Sequence, residues 1–364
     1  MLPAPRLCHN FNMWLAGFLF LAFLQQDPEV LFRQKDILGW RALGEGSELK
    51  ASGGGMVYTY DVAARKFSGA VMGAPQNMAR TRSIRFSVTA DHDTAMAILL
   101  TEKKPGGGNY AAWFWTPANV RQQIELTPAD FTVTDGEGDP VDTDGRLDLD
   151  QVEGIGIFDL AQFFLGMPRD PNMPLVMPGL AGRHSFTLED FTISSSALSA
   201  AATPPSVVDN FDRGFLDWVA LGDMKLQLSK AGDPLGARAL QASYHQQEGQ
   251  LELLVRRVGN SDMAKARHLA FDIASEREVT LVVALEMHRS GGKGGDGPRF
   301  SLPIYPPGGK EVFHVDLSLA DFKGPGGAFD PAQWRTIAIV DATAAEGGAG
   351  QDNTIWIGKM EVRN

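Results

Sequence analysis

Cysteine is almost absent from these 364 residues. The one thiol, Cys8, cannot close an intrachain disulfide, so pairing holds nothing together and says nothing about compartment. Positive charge is also short. Lys and Arg number 33 against 44 Asp and Glu, a formal charge of −11. Such a chain repels phosphate backbones, and no basic stripe interleaves with aromatics, which argues against nucleic acid as a partner. One long apolar run exists, residues 11–24, preceded by Arg6 and no acid. It is too short to span a bilayer comfortably, so an integral membrane protein is not expected. It has the make-up of a signal-peptide core, although Leu24-Gln25-Gln26 is a poor cleavage site; a short buried or membrane-surface helix is the alternative. Cys8 precedes the run and is not placed as a lipoprotein cysteine.

Recognisable catalytic patterns are missing too. The seven histidines (His9, His92, His184, His245, His268, His288, His314) show no H-E-x-x-H or paired spacing. There is no G-x-S-x-G, phosphate loop or dinucleotide fingerprint. The glycines of Lys104-Pro105-Gly106-Gly107-Gly108 and of residues 291–295 lack a strand-to-helix context and read as hairpin glycines. Glu102 and Glu286 fall in separate halves, so they do not form an acid–base pair. The acids Asp142, Asp144, Asp148 and Asp150 read as a solvated loop, because their spacing does not fit an EF-hand.

What is present is glycine, proline and short alternating runs: 40 Gly and 21 Pro lie between apolar stretches of strand length. These runs recur in order. Leu38-Gly39-Trp40-Arg41-Ala42-Leu43-Gly44-Glu45 answers to Leu216-Asp217-Trp218-Val219-Ala220-Leu221-Gly222-Asp223. Met56–Tyr60 answers to Leu240–Tyr244, Ile84–Val88 to Leu269–Ile273, and Tyr110–Trp115 to Phe300–Tyr305. Val152, Ile155 and Ile157, ending at Asp159, answer to Trp334, Ile337 and Ile339, ending at Asp341. A domain-sized repeat predicts two globular units. The sequence therefore divides into an apolar leader (1–26), a first unit (30–194), a linker (195–205) and a second unit (206–364). A Met/Pro-rich loop at 166–183 is peculiar to the first unit. The expected fold class is all-β: two tandem antiparallel β-sandwiches.

The opening acid-x-x-aromatic…Trp phrase (Asp209-Asn210-Phe211-Asp212…Trp218; Phe32…Trp40) is one of four that recur. The others are the strand-ending Glu102 and Glu286, Leu126…Asp130-Phe131 with Leu317…Asp321-Phe322, and the closing strands Phe186–Asp190 and Asn353–Ile357. Together these phrases resemble the galactose-binding-like jelly rolls. Within them, the chain is most similar to family 11 carbohydrate-binding modules and the domain of complex I intermediate-associated protein 30. The resemblance covers nearly everything after the leader. It implies glycan binding on a concave sheet, without catalysis, in an exported protein (periplasmic, cell-surface or extracellular). The alternative is a structural or protein-interaction module of an envelope or assembly-factor type with no sugar ligand. It also implies a structural calcium tying the opening segment to an acid in the last strand. Glu189 and Asp190 stand at that place in the first unit. The second has Gly358 and Lys359 there, leaving Asp209 and Asp212 in its opening segment.

Sugars stack their apolar faces on exposed aromatic rings, with carboxylates or guanidinia fixing the hydroxyls. Parity selects the candidates. Leu281, Val283 and Leu285 form the bulky face of their strand, leaving Val282, Ala284 and Glu286 opposite; by the repeat, Ile98, Leu100 and Glu102 join that second face. Tyr110, Ala112 and Phe114 read as core, which turns Trp113 and Trp115 outward, with Pro303 and Tyr305 as counterparts. Trp113 and Trp115 either stack sugar beside Glu102 or pack against the neighbouring unit or the leader. Tyr305 and Glu286 are the corresponding candidates in the second unit. Tyr58, Tyr60, Tyr244, Trp40, Trp218, Trp334 and Trp356 are expected in the core.

Overall fold

A computed structural model describes residues 29–364 except 36, 63–67, 104, 135–138, 143, 167–179, 199–203, 205, 249, 259–262, 289–296, 326, 345–346 and 349. The apolar leader, most of the linker and most of the Met/Pro-rich loop lie outside the described residues.

The alternation read in the sequence becomes four antiparallel sheets, paired face to face as two sandwiches. Sheet I runs Glu48–Ser52, Gly55–Val62, Gly182–Ser194, Ser83–Ala90, Gln122–Leu126, with Val30–Arg33 also pairing on Gly182–Ser194. Sheet II runs Thr132–Val133, Asn109–Thr116, Thr94–Glu102, Val152–Asp159, Gly69–Gly73, Trp40–Leu43. The second unit repeats this strand order. Sheet III runs Lys225–Leu228, Leu240–Gln246, Gln351–Arg363, His268–Ser275, Phe313–Ser318, with Val207–Asp209 on the long closing strand. Sheet IV runs Trp218–Leu221, Glu252–Arg257, Trp334–Asp341, Leu281–Met287, Arg299–Ile304. No helix of the described residues is long and apolar enough to cross a membrane.

Each sandwich buries the inward stripe of its two sheets. In the first, Tyr58 and Tyr60 stack at 5.2 Å and lean on Phe186, while Trp40 meets Phe191 edge-on at 5.6 Å. In the second, Phe329 and Trp334 meet edge-on at 5.3 Å, and Trp218 is fully buried. Tyr58, Tyr60 and Tyr244 are core residues, as the parity argument expected, and Trp40, Trp218 and Trp334 pack in the cores as well; Trp356 is buried but outside both cores, on the face of its strand opposite Ile355 and Ile357 and beneath Lys310. Leu281, Val283 and Leu285 face inward, as do Tyr110, Ala112 and Phe114.

One parity expectation fails. Ile98 and Leu100 are fully buried in the first core, so Glu102, two residues on, follows the inward face and is not the counterpart of Glu286. The strand conceals its own parity because both faces are covered: Ala95, Met96, Ala97 and Ile98 are all buried. Where alternation is lost, a one-residue slip exchanges the faces.

The two units touch along one seam. The segment entering sheet IV lies beside the strand Asn109–Thr116 of sheet II: Phe114 bridges Leu216, the Asp217 amide donates to the Trp113 carbonyl at 2.7 Å, and the Trp115 amide to the Phe215 carbonyl at 3.2 Å. Arg213 grips both oxygens of Asp130 at 2.6 and 2.8 Å and the Glu125 carbonyl at 2.6 Å.

Candidate functional site

The tryptophan pair does point away from its own core, but it is not open. Trp115 is 4% exposed and joins Ala95 in the hydrophobic cluster of the second unit. Trp113 is half-buried under the Arg257 guanidinium, whose carbon stands 4.5 Å from the ring centroid, and the same Arg257 donates to the Ala111 carbonyl at 2.6 Å. The pair packs against the neighbouring unit, one of the two outcomes that the sequence left open, because an outward apolar face next to a second sandwich is cheaper covered than wet. Glu102 is 2% exposed and accepts from the amides of Gly108, at 2.9 Å, and Asp148. It latches the hairpin and the acidic loop, and no sugar hydroxyl reaches it there.

The acids expected at a calcium site have cationic partners instead. Arg121 donates to Glu189 at 2.9 Å and to Asp190 at 3.1 Å, with Asp190 in the left-handed region at φ 56°. Asp209 is buried and accepts from the Trp218 indole at 2.7 Å, the Phe211 amide at 2.7 Å and Arg256 at 2.8 Å. Asp212 pairs with Arg238 and accepts from Asn210 at 2.7 Å. Guanidinium groups thus compensate part of the charge of each of these carboxylates.

Of the second unit's two candidates, Tyr305 is open and Glu286 is engaged. On the outward face of sheet IV, registered neighbours form two rows across the five strands, apolar except for the edge residue Ser301. One is Leu221–Leu253–Val340–Val282–Pro303, the other Val219–Val255–Ala338–Ala284–Ser301. The first two residues of strand Trp218–Leu221 on this face are sealed under the seam, while Leu253, Val255, Val282, Ala284, Ala338 and Val340 are half-buried. Tyr305, just past the end of the edge strand, is 64% exposed. At the opposite end Glu286 accepts from Arg335 at 3.0 Å and pairs with Arg299 at 3.4 Å.

A polar array that sequence spacing did not bring together lies in the first unit. Asp159 is fully buried and accepts from Tyr60 at 2.6 Å, from Thr94, from the Ala161 amide at 2.8 Å and from His92 Nε2 at 3.0 Å. Burial alone would raise its pKa, but these donors outweigh burial and hold it below the usual carboxylate range. Burial pulls His92 down, and the carboxylates of Asp159 and Asp91 more than offset this, so its pKa is raised. The His184 ring lies against that of His92, centroids 3.9 Å apart and planes tilted by 38°. His92 also lines a pocket of about 190 Å³ at the seam, walled by Asp93, Trp115 and Leu180 of the first unit and Asp223 and Lys225 of the second. The second unit keeps the buried half of this array: Tyr244 donates to Asp341, as does Gln246 at 2.7 Å. The recurring Tyr60/Tyr244 and Asp159/Asp341 were visible in sequence; the histidines, 92 residues apart in chain order, gave no signal there.

The fold places the chain in the class of tandem antiparallel β-sandwiches. No protein-family model and no curated protein matches it. Solved structures similar to it include a family 11 carbohydrate-binding module from Clostridium thermocellum in complex with a β-1,3-1,4-mixed-linked tetrasaccharide. The identity is 17%, covering 43% of this chain and 94% of that one, with a TM-score of 0.35. The tandem family 22 modules of a Paenibacillus barcinonensis protein are 10% identical, covering 92% of this chain and 97% of theirs, with a TM-score of 0.29. A family 30 module of a Clostridium thermocellum cellulosomal cellulase is 14% identical over 39% of this chain and 87% of its own, with a TM-score of 0.30.

Proposed function

We propose that the protein is a non-catalytic glycan-binding protein, exported through its apolar leader, whose sugar-facing surface is the outward face of sheet IV. The observation that carries this reading is Tyr305, 64% exposed at the edge of a sheet face that is otherwise two largely apolar rows. An exposed phenol ring offers stacking area, and the Glu286–Arg299–Arg335 group offers charge-assisted hydrogen bonds to hydroxyls. Six residue steps of extended chain take Arg299 to Tyr305, roughly 20 Å at strand rise, which suits an extended oligosaccharide. The shared strand order of the two halves supports their origin by duplication, with the first copy's face given over to the seam. Structural calcium has no role in this reading.

The test is a glycan array followed by affinity electrophoresis with the parent, Tyr305→Ala and Trp113→Ala. The expected result is retention by a polysaccharide that Tyr305→Ala loses while melting unchanged. Equal retention of parent and Tyr305→Ala overturns the reading. A second reading, docking of a protein on the same face, is favoured by the half-buried Leu253, Val255, Ala338 and Val340. It predicts a silent glycan array.

A further inference from the structure

The geometry points to a divalent transition-metal site, of the zinc type, formed by Asp91, His92 and His184; we propose that the first unit binds one such ion there.

Three ligand atoms already converge. His92 Nδ1 lies 2.8 Å and His184 Nδ1 3.2 Å from the same Asp91 Oδ1, and all three lie within 4.8 Å of one another. Tetrahedral bonds of about 2.0–2.1 Å place neighbouring ligand atoms about 3.3 Å apart, so small side-chain shifts suffice. Two imidazoles and one carboxylate form a donor set suited to zinc and its neighbours and poorly suited to calcium, which prefers oxygen alone.

The surroundings prepare this set. Buried Asp159 accepts from His92 Nε2 and Asp91 from His92 Nδ1, so a metal ion at Nδ1 takes the place of the second proton while Asp159 keeps the first. A carboxylate behind a ligating imidazole is the usual outer support of a metal-binding histidine. Asp91 is aimed in turn: its Oδ2 accepts from the Ser185 amide at 2.7 Å and the Ser185 hydroxyl at 3.1 Å, leaving Oδ1 for the cluster. His184 Nε2 is buried with no partner among the described residues. The two neighbouring imidazoles, each with Nδ1 within hydrogen-bond distance of one carboxylate oxygen, present their Nδ1 lone pairs to a common point once a cation displaces the protons held there.

The second unit shows that the histidines are not needed to hold the buried Tyr–Asp pair. By register His184 pairs with Tyr60, and Asn353 with Tyr244; Gln246 supplies the extra donor to Asp341. An amide does that job, so two histidines are an addition to the scaffold. Three protein ligands leave a fourth tetrahedral position to water or an exogenous ligand.

Zinc chloride titrated into the zinc-free full chain by calorimetry, with the visible spectrum of the cobalt(II)-loaded chain as second readout, tests the site. One ion per chain is expected, with a tetrahedral cobalt spectrum and no heat from calcium chloride. His184→Asn, which installs the second unit's own residue, and Asp91→Asn are each expected to weaken zinc at least tenfold with unchanged melting. Asp159→Asn is expected to weaken it about 10- to 100-fold; should it fail to fold, His184→Asn decides. The exposed His245–Asp352, His268–Asp316 and His314–Asp272 pairs offer one imidazole each and serve as internal controls. A parent that binds no stoichiometric zinc, or folded Asp91→Asn and His184→Asn chains that bind it undiminished, overturns the proposal.

Discussion

Replacing Glu252 by Gln should remove a pH dependence from the stability of the second unit. Glu252 begins a strand of sheet IV, is 2% exposed, and sits in register with Asp341. Its Oε2 accepts from the Asp223 amide at 2.7 Å, while Oε1 has no partner among the described residues. Burial pushes its carboxyl up to about 8, opposed in part by the hydrogen bond from the Asp223 amide and aided by smaller contributions from the charges of Asp223 and Asp341. The folded pKa therefore exceeds the unfolded value of 4.5. Below 4.5 both states hold the proton and the contribution is fully present. Between 4.5 and about 8 only the folded state holds it, so stability falls as pH rises, by at most about 1.4 kcal/mol per pH unit. From pH 5 to pH 7 that is a ceiling of about 2.7 kcal/mol, lowered by whatever water reaches the carboxyl. Gln keeps an acceptor for the Asp223 amide and has no proton to lose. The assay is urea unfolding followed by tryptophan fluorescence at several pH values, taking the parent-minus-variant difference so that other titrating groups cancel. The parent should lose stability relative to Glu252→Gln across this window. A flat difference, or a parent that gains on the variant, refutes the burial argument.

Trp115→Ala should cost about 3–5 kcal/mol by cavity formation at the seam, read as a lower melting temperature and earlier proteolysis between the units; a change under about 1 kcal/mol would mean that the seam is loose. Asp209→Asn should cost about 3–5 kcal/mol, because it strands the buried Arg256; near-neutral melting would count against a buried ion pair. Arg121→Ala should change stability by less than about 1 kcal/mol, since its pairs with Glu189 and Asp190 are exposed. If calcium then stabilised the variant, the acids would be a cation site that the arginine masks.

The strands and their repetition were readable because burial writes a period of two, while their order in the sheets was not: Gly55–Val62 and Gly69–Gly73, neighbours in sequence that read as a hairpin, lie in different sheets. Leu281, Val283 and Leu285 alternate with smaller neighbours, and Tyr60 and Tyr244 hold equal places in two copies of one pattern. The same rule misplaced Glu102, because Ala95 to Ile98 are buried on both faces and carry no alternation. It also could not say whether Trp113 and Trp115 met solvent or protein. That depended on Phe215–Asp217 arriving about 100 residues later in the chain, a long-range contact without local signature. The acids chosen for calcium were compensated by Arg121, Arg238 and Arg256, which are remote in sequence. His92 and His184 converge only because Gly182–Ser194 pairs with Ser83–Ala90, a register no short motif records.

The strand Asn109–Thr116 is flanked on its outer side by Thr132–Val133 over one half and by Phe215–Asp217 over the other. A first unit expressed without its companion would present bare amides and carbonyls at Trp113 and Trp115 together with two uncovered indoles, the combination that recruits other chains edge to edge. Severing the chain at the linker should thus yield a first half that aggregates and a second half that uncovers Val219, Leu221 and the Phe215–Asp217 backbone in turn, so the two sandwiches are partners in solubility as well as in sequence.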